Sequence, residues 1–245
     1  MPRNDKKMNK ILISILFLSL FSCKQEEVML PKSNVSAITE IYDHSPIYMF
    51  FRVEENDTLA EVNRNNTIGT TNWIFNIDKR LPLHAIIPNI ANLQEKKKNG
   101  MHKKDGTINV YSYADSLHQN LAFLPFTDVR YFYDKDFSKF YIKDNAELYM
   151  NFNPFTINFK KNGKVTVDGH EIEKKELVAY LKDFSDFMSD GKVAILHLNF
   201  DKHLTFNDYI QNKLMLWQIT SENIQFSSYE FIYDETKLPE CGCEL

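Results

Sequence analysis

The stretch FNIDKRLPLHAIIPNI, residues 75–90, has a second version later in the chain, LNFDKHLTFNDYIQNK, residues 198–213. Six of the sixteen aligned positions are identical, among them an Asp-Lys pair at 78–79 and 201–202. Three further positions keep their apolar character: Phe75 and Leu198, Ile77 and Phe200, Leu83 and Phe206. Because a similar order of patterns surrounds both versions, they predict two related copies of one structural unit.

The second copy predicts the element order β-β-α-β-α-β. Residues 155–159 and 165–168 are typical of strands, and Asn162-Gly163 between them favours a hairpin turn because both residues tolerate positive φ. Apolar residues at helical spacing predict helices over residues 173–188 and 206–219. Buried strands are predicted at residues 192–200 and 224–233.

The first copy is shorter. It has predicted strands at 47–52, 58–62 and 108–113, but the interval from Val62 to Trp73 leaves no room for the first helix. Its other helix, residues 83–98, contains Pro88, which either kinks the helix or marks a later start. We therefore predict an α+β fold of two related sheet-plus-helix modules, residues 41–116 and 155–235. An aromatic-rich connector, residues 117–154, either packs across their junction or forms an exposed binding surface.

The N-terminal residues are typical of an export signal. An apolar run at residues 11–22 follows several lysines and is too short for a comfortable membrane span. Residues 20–23, Leu-Phe-Ser-Cys, resemble the lipobox of bacterial lipoproteins. The resemblance implies that residues 1–22 are removed and that Cys23 is acylated, with residues 23–40 as a tether. The alternative is an ordinary cleaved signal with an incidental cysteine.

The residue after Cys23 indicates to which membrane a lipoprotein is sorted. Lys24 stands where many Gram-negative lipoproteins carry an inner-membrane retention Asp, so the resemblance implies sorting to the outer membrane. Residues 24–27, Lys-Gln-Glu-Glu, also resemble an acidic surface-export tag. Both the periplasmic face and the cell surface therefore stay open.

The remaining cysteines, Cys241 and Cys243, lie in a tail at residues 236–245. In an oxidising compartment they could form a disulfide, although a Cys-x-Cys ring is tight. A metal half-site, a redox pair and incidental cysteines are the alternatives.

Composition and motifs argue against several function classes. The net charge is −4, and only 7 glycines occur, so neither nucleic-acid binding nor a glycine-rich phosphate loop is indicated. His197 and His203 flank Asp201, and such sets can bind metals. However, Asp78 matches Asp201 without histidine neighbours, which favours a turn or helix-capping role. We predict no catalytic residue, no metal and no cofactor.

A basic stretch follows the helix of the first copy. Residues 96–98 and 103–104 are all lysine. A solvated loop is one interpretation, and contact with an anionic surface is the other.

The second copy also resembles a known family. Residues 156–173, TINFKKNGKVTVDGHEIE, then Leu177 and the strand that ends at Asp201-Lys202, are similar to the periplasmic domain of the ExbD/TolR biopolymer-transport family. The resemblance spans residues 155–232 and implies a scaffold that grips a partner protein or the cell wall and dimerises. The family's membrane helix carries an Asp, whereas residues 11–22 contain no acid. Proton translocation is therefore not implied, and no functional residue carries over.

These patterns predict a non-enzymatic lipoprotein of the Gram-negative envelope. It would act as a scaffold or binding component for an envelope protein or peptidoglycan, in connection with a TonB/ExbD-type transport system. The alternative is an envelope hydrolase or small-ligand carrier whose site is built from residues distant in sequence. A cleft lined by converging His, Asp and Glu favours the enzyme, and an aromatic patch or a free sheet edge favours binding.

Overall fold

The chain forms two mixed β-sheets of six strands each, accompanied in the described residues by four α-helices. The computed structural model describes residues 27–55, 57–100, 104–134, 136–188 and 191–238. Within them, the predicted α+β fold of two sheet-plus-helix modules is confirmed. The predicted signal peptide, Cys23, Cys241 and Cys243 lie outside the described residues.

The first sheet comprises β1 to β6 and is accompanied by helix α1. Their bounds are β1 Lys32–Ser33, β2 His44–Glu54, β3 Asp57–Asn63, β4 Asn72–Ile77, α1 Leu83–Lys98, β5 Asn109–Asp115 and β6 Asn120–Pro125.

The second sheet comprises β7 to β12 and is accompanied by three helices. Their bounds are β7 Arg130–Asp134, α2 Ser138–Asp144, β8 Phe152–Phe159, β9 Val165–Val167, β10 His170–Ile172, α3 Leu177–Met188, β11 Val193–Asp201, α4 Phe206–Trp217 and β12 Ile224–Tyr233. A 3₁₀ turn, Ala146–Tyr149, follows α2.

Four strands of each sheet share one topology. Their order is β3-β2-β4-β5 in the first sheet and β9-β8-β11-β12 in the second. In both, the first pair is antiparallel and the other two pairs are parallel. Helix α1 joins β4 to β5, and α4 joins β11 to β12 in the same way. The internal repeat is therefore confirmed in the fold. The outer neighbours differ, since β6 runs antiparallel to β5 and β7 parallel to β12.

The two repeated loops that follow β4 and β11 bind each other through their backbones. Each contact has a counterpart at the aligned positions, as in a two-fold symmetric interface. The N–H groups of Leu83 and Phe206 donate to the carbonyls of Leu204 and Leu81 at 2.9 and 2.8 Å, and those of His84 and Asn207 donate to Lys202 and Lys79, both at 3.0 Å.

Buried apolar side chains from both modules form one continuous cluster. At its centre, the rings of Tyr111 and Phe126 stack with centroids 3.8 Å apart, and Phe206 of the second module meets Tyr111 edge-on at 5.3 Å. Tyr131 of the connector shares a 2.7 Å hydroxyl hydrogen bond with Tyr111. The interpretation that the connector packs across the junction is therefore confirmed.

Helix boundaries agree with the prediction in the first module and differ in the second. Helix α1 covers the predicted residues and continues through Pro88, which leaves the carbonyl of His84 without its usual helical donor. Helix α3 begins at Leu177, four residues later than predicted, because the Glu176 N–H closes a turn on the Glu173 carbonyl at 2.8 Å.

The short strand β10 is absent from the sequence-based prediction. Asp168 and Gly169 have φ values of 49° and 90°, so the chain turns back after β9 and adds β10 to the edge of the sheet. Glycine adopts this left-handed conformation without strain.

The segment assigned from sequence to the tether lies on the first sheet over much of its length. The Met29 N–H donates to Asp78 Oδ2 at 3.3 Å, and the Met29 carbonyl accepts from the Lys79 N–H at 2.7 Å. Ile38 pairs with Phe123 of β6 through two backbone hydrogen bonds. Within the described residues, the backbone of Met29 is thus bound to the turn that follows β4. No helix formed by the described residues is long and apolar enough to cross a membrane.

Candidate functional site

A cleft of about 840 Å³ lies where the two modules meet. The end of α1, the turn before β5, the β6–β7 loop and the middle of β12 form its walls. Its lining includes Gln94, Lys97, Asn109, Thr127, Arg130 and Tyr131. We refer to it as the junction cleft.

Lys97 is a half-buried cation in the wall of the junction cleft. Its Nζ donates to Asn109 Oδ1 at 2.8 Å and lies 4.8 Å from the centroid of the Trp73 ring. Burial lowers the pKa of Lys97 to about 8. No carboxylate of the described residues forms an ion pair with it. A partly desolvated ammonium held only by a neutral amide and a ring favours an added anion, because burial removes the water that stabilises its charge.

The walls beside Lys97 are held by hydrogen bonds between distant parts of the chain. The Gln94 side-chain amide donates to three backbone carbonyls of the β6–β7 loop. The shortest of these distances, 3.1 Å, is to the carbonyl of Phe126. The Asn109 N–H donates to Thr127 Oγ1 at 2.9 Å. These contacts fix the loop that leads into Arg130, so the cleft is largely formed before any ligand enters it.

The rim of the junction cleft carries both signs of charge. Lys98 and Arg130 form no ion pair with the described residues, whereas Lys104 is paired with Asp43 at 2.9 Å. Three acidic residues also line the rim: Glu95, Asp105 and Asp128. The mixed rim suits a partner with single carboxylates among neutral or cationic groups better than a uniform polyanion.

A chain of polar side chains runs from half-buried Tyr131 in the cleft wall to fully buried groups beneath it and crosses the junction. The Tyr131 hydroxyl lies 2.7 Å from that of Tyr111 and 3.4 Å from that of Tyr209. Tyr209 donates to Glu230 at 2.6 Å, and Lys213 pairs with Glu230 at 2.5 Å. Burial raises the pKa of all three tyrosines well above the ordinary value, so their hydroxyls stay protonated and able to donate.

The candidate set of His197, His203 and Asp201 does not form a metal site. His197 is buried with its ring 5.1 Å from that of Tyr149, while the His203 ring lies 5.5 Å from that of His84. The described residues contain no group of three or more His, Cys, Asp or Glu side chains that could hold a metal.

Asp201 and its counterpart Asp78 shape the repeated turns instead. Asp201 Oδ1 accepts from the His203 N–H at 2.8 Å, and Asp78 Oδ1 accepts from the Arg80 N–H at 3.0 Å. The predicted turn role is thereby confirmed. The cap of α4 itself is Thr205, which forms a capping box with Asp208.

His197 predicts a pH dependence of stability. Both ring nitrogens are buried with no hydrogen-bond partner among the described residues, and burial lowers the pKa of His197 to about 4. Its unfolded pKa is higher, so the unfolded chain binds the extra proton, and stability falls as pH decreases from about 6.5 toward 4. We expect a loss of about 2–3 kcal/mol between pH 7 and 4.5 that is absent in His197→Phe, as measured by urea denaturation.

A matched variant separates the effect of His197 on stability from that of a second histidine, His84. The pKa of His84 is also lowered, chiefly by burial. His84→Gln should therefore retain most of the decline. An unchanged pH profile in His197→Phe would contradict the assignment.

A smaller cavity of about 190 Å³ lies beneath α2. Thr156 and Asn158 of β8 line it, together with Asp168 at its edge. The Asn158 Nδ2 donates to Thr166, but its buried Oδ1 has no partner among the described residues. A residue in the wall of this cavity therefore carries an unsatisfied hydrogen-bond acceptor.

The outer face of the first sheet exposes the apolar side chains of Tyr48 and Leu59 next to a free edge. Tyr48 stacks on Phe50 with centroids 6.0 Å apart, and Tyr48 and Leu59 are 38% and 40% exposed. Strand β3 pairs with β2 alone among the described strands, so its other edge is available for strand addition.

No protein-family model, curated protein or solved structure matches this chain. The similarity to the ExbD/TolR family therefore stays a prediction from residues 155–232. Of the cleft residues, Lys97, Lys98 and Lys104 belong to the basic stretch noted in the sequence. Asn109, Thr127 and Arg130 carry no local signal, since they become neighbours only through the fold.

Proposed function

We propose that this protein is a non-catalytic lipoprotein of the Gram-negative outer membrane, anchored through Cys23, and that it acts as a scaffold or binding component. Its partner is an envelope protein or peptidoglycan, and an anionic group of that partner occupies the junction cleft. The similarity of residues 155–232 to the ExbD/TolR family supports the scaffold role, a connection with a TonB/ExbD-type system and dimerisation.

The observation that carries the proposal is the unpaired, half-buried ammonium of Lys97. A carboxylate of the partner would supply the counter-charge that the described residues do not, and Arg130 and Lys98 extend the cationic surface outward. Acidic groups on the same rim would repel a nucleic acid. Peptide stems of the cell wall and acidic side chains of proteins both provide isolated carboxylates of the required kind.

The proposal predicts a partner whose capture depends on Lys97. We expect Lys97→Gln to reduce cross-linked recovery of the partner, or binding to purified peptidoglycan, at least tenfold, since a charge-assisted hydrogen bond to a buried group contributes about 1.5–3 kcal/mol. Binding should also weaken as pH rises above about 8, because Lys97 then loses its charge. Affinity capture from the native membranes, analysed by mass spectrometry, measures the first effect.

Two variants serve as controls. Lys161→Gln removes an exposed lysine from the other module and should leave recovery unchanged. Cys23→Ala should abolish labelling by a palmitate analogue and release the protein from the membrane fraction. Equal recovery with Lys97→Gln and Lys161→Gln would refute the role of the cleft.

A second function, small-ligand carriage, is favoured by the cavity beneath α2. The unpartnered Asn158 Oδ1 would accept a hydrogen bond from an amide, hydroxyl or ammonium group. Native mass spectrometry of the purified protein tests it. A small molecule that co-purifies with the original protein but not with Asn158→Leu would establish ligand carriage. A measured mass equal to that of the polypeptide alone would exclude a bound ligand in that preparation.

A further inference from the structure

The point where the N-terminal chain joins the fold lies far from the junction cleft. Met29 is bound to Asp78 and Lys79, directly after the end of β4. Trp73, at the start of the same strand, contacts Lys97 in the cleft. From Trp73 to Lys79 the chain advances six residues, which corresponds to about 20 Å at the rise of a strand. The attachment point and the cleft thus lie at opposite ends of β4.

The chain between Cys23 and this attachment point is short. Met29 is the sixth residue after Cys23, so the connection consists of six residue steps. Fully extended, they reach at most about 20 Å. Val28 is already half-buried against the fold, which shortens the usable length further.

We infer that the lipid anchor orients the folded body on the membrane, with the repeated loops after β4 and β11 facing the bilayer and the junction cleft facing away. The inference rests on the proposed acylation of Cys23. Turning the cleft toward the bilayer would place Met29 roughly 20 Å from the surface. The connecting chain would then be stretched to its limit, at a large entropic cost.

This orientation narrows the choice of partner. The basic stretch at the end of α1 borders the cleft and is carried away from the lipid headgroups of the anchoring membrane. Its anionic ligand is therefore a carboxylate of a protein or of the cell wall, on the side away from that membrane. Headgroups of the same bilayer are excluded.

Fluorescence quenching on vesicles tests the orientation in the lipidated, full-length protein. Cys241→Ser and Cys243→Ser leave an introduced cysteine as the only free thiol, because the sulfur of Cys23 is acylated. A fluorophore is attached in one variant at Lys79→Cys, beside Met29, and in the other at Asp105→Cys, on the cleft rim. The vesicles carry a short-range quencher on their headgroups.

We expect the label at position 79 to lose most of its fluorescence and the label at position 105 to lose almost none. A variant with fifteen Gly/Ser residues inserted after residue 24 should reduce the difference, since the body can then rotate. Co-flotation with vesicles and equal quenching at both positions, or stronger quenching at 105, would overturn the orientation while keeping the anchor. Failure to co-float, with Cys23 reactive toward the fluorophore, would overturn the anchor and the orientation together.

Discussion

Phe206→Ala should lower the free energy of unfolding by about 3–5 kcal/mol and should destabilise both modules together. Phe206 is fully buried at the start of α4, and its ring meets Tyr111 of the first module edge-on. Its N–H also forms one of the reciprocal hydrogen bonds between the repeated loops. The substitution leaves a cavity at the contact between the modules, so its cost cannot be confined to one of them.

The two tryptophans of the chain provide one reporter for each module. Trp73 lies in β4, and Trp217 ends α4 and packs near Phe226. In variants that keep a single tryptophan, urea denaturation followed by fluorescence should give the same midpoint for both reporters. Phe206→Ala should shift the two midpoints equally, because a shared core makes unfolding cooperative.

Phe187→Ala is the matched control, because the same residue type is 82% exposed in α3. Its effect should stay within about 0.5 kcal/mol of the original protein. Two separate transitions, or a shift seen by Trp217 alone, would mean that the modules fold independently despite their common core.

Local patterns predicted the parts of the fold that depend on local interactions. Helix α1 and strand β12 have the bounds that their apolar spacing indicated, and the repeated Asp-Lys turns lie at equivalent places in the two sheets. Strand β7 was not predicted, because Arg130–Asp134 has three consecutive aromatic residues between two charged ones and so lacks polar–apolar alternation. Its pairing comes from the distant β12. Strand β10 depends on the positive φ of Asp168. Non-glycine residues adopt positive φ only rarely, so the sequence gives no reason to expect it at this position.

Much less of the candidate site than of the fold could be predicted from the sequence. The basic stretch at residues 96–98 predicted either a solvated loop or an anionic contact, and nothing in it indicated that Lys97 would turn inward. Its half-buried position is created by Trp73 and Asn109, which reach it from β4 and β5. The reciprocal pairing of the repeated loops likewise requires that both modules be built first. Repeats in the sequence showed that the loops are related, and only the structure shows that they bind each other.

The largest electrostatic effect is expected at the buried ion pair of Lys213 and Glu230. Their side chains are only 4% and 3% exposed, and Tyr209 donates a further hydrogen bond to Glu230. Lys213→Met leaves a buried carboxylate without its counter-charge, and we expect the free energy of unfolding to fall by about 3–5 kcal/mol. Glu230→Gln should cost a similar amount, because it leaves the ammonium uncompensated.

The repeat indicates what happens when both charges are removed. Ile90 aligns with Lys213 and is fully buried in the first module, so this position of the helix accepts an apolar side chain. The double variant Lys213→Met/Glu230→Gln should therefore recover most of the lost stability. The coupling energy, which is the sum of the two single losses minus the loss in the double variant, should therefore exceed about 3 kcal/mol, the size of one single loss.

Urea denaturation of the four proteins in this cycle measures the coupling. The exposed pair of Lys164 and Glu171, with side chains 53% and 59% exposed, is the matched comparison. Lys164→Met should change stability by less than about 1 kcal/mol, because water screens that pair. If Lys213→Met were no more harmful than Lys164→Met, the pair would not be desolvated, and the polar chain beneath the junction cleft would be open to water.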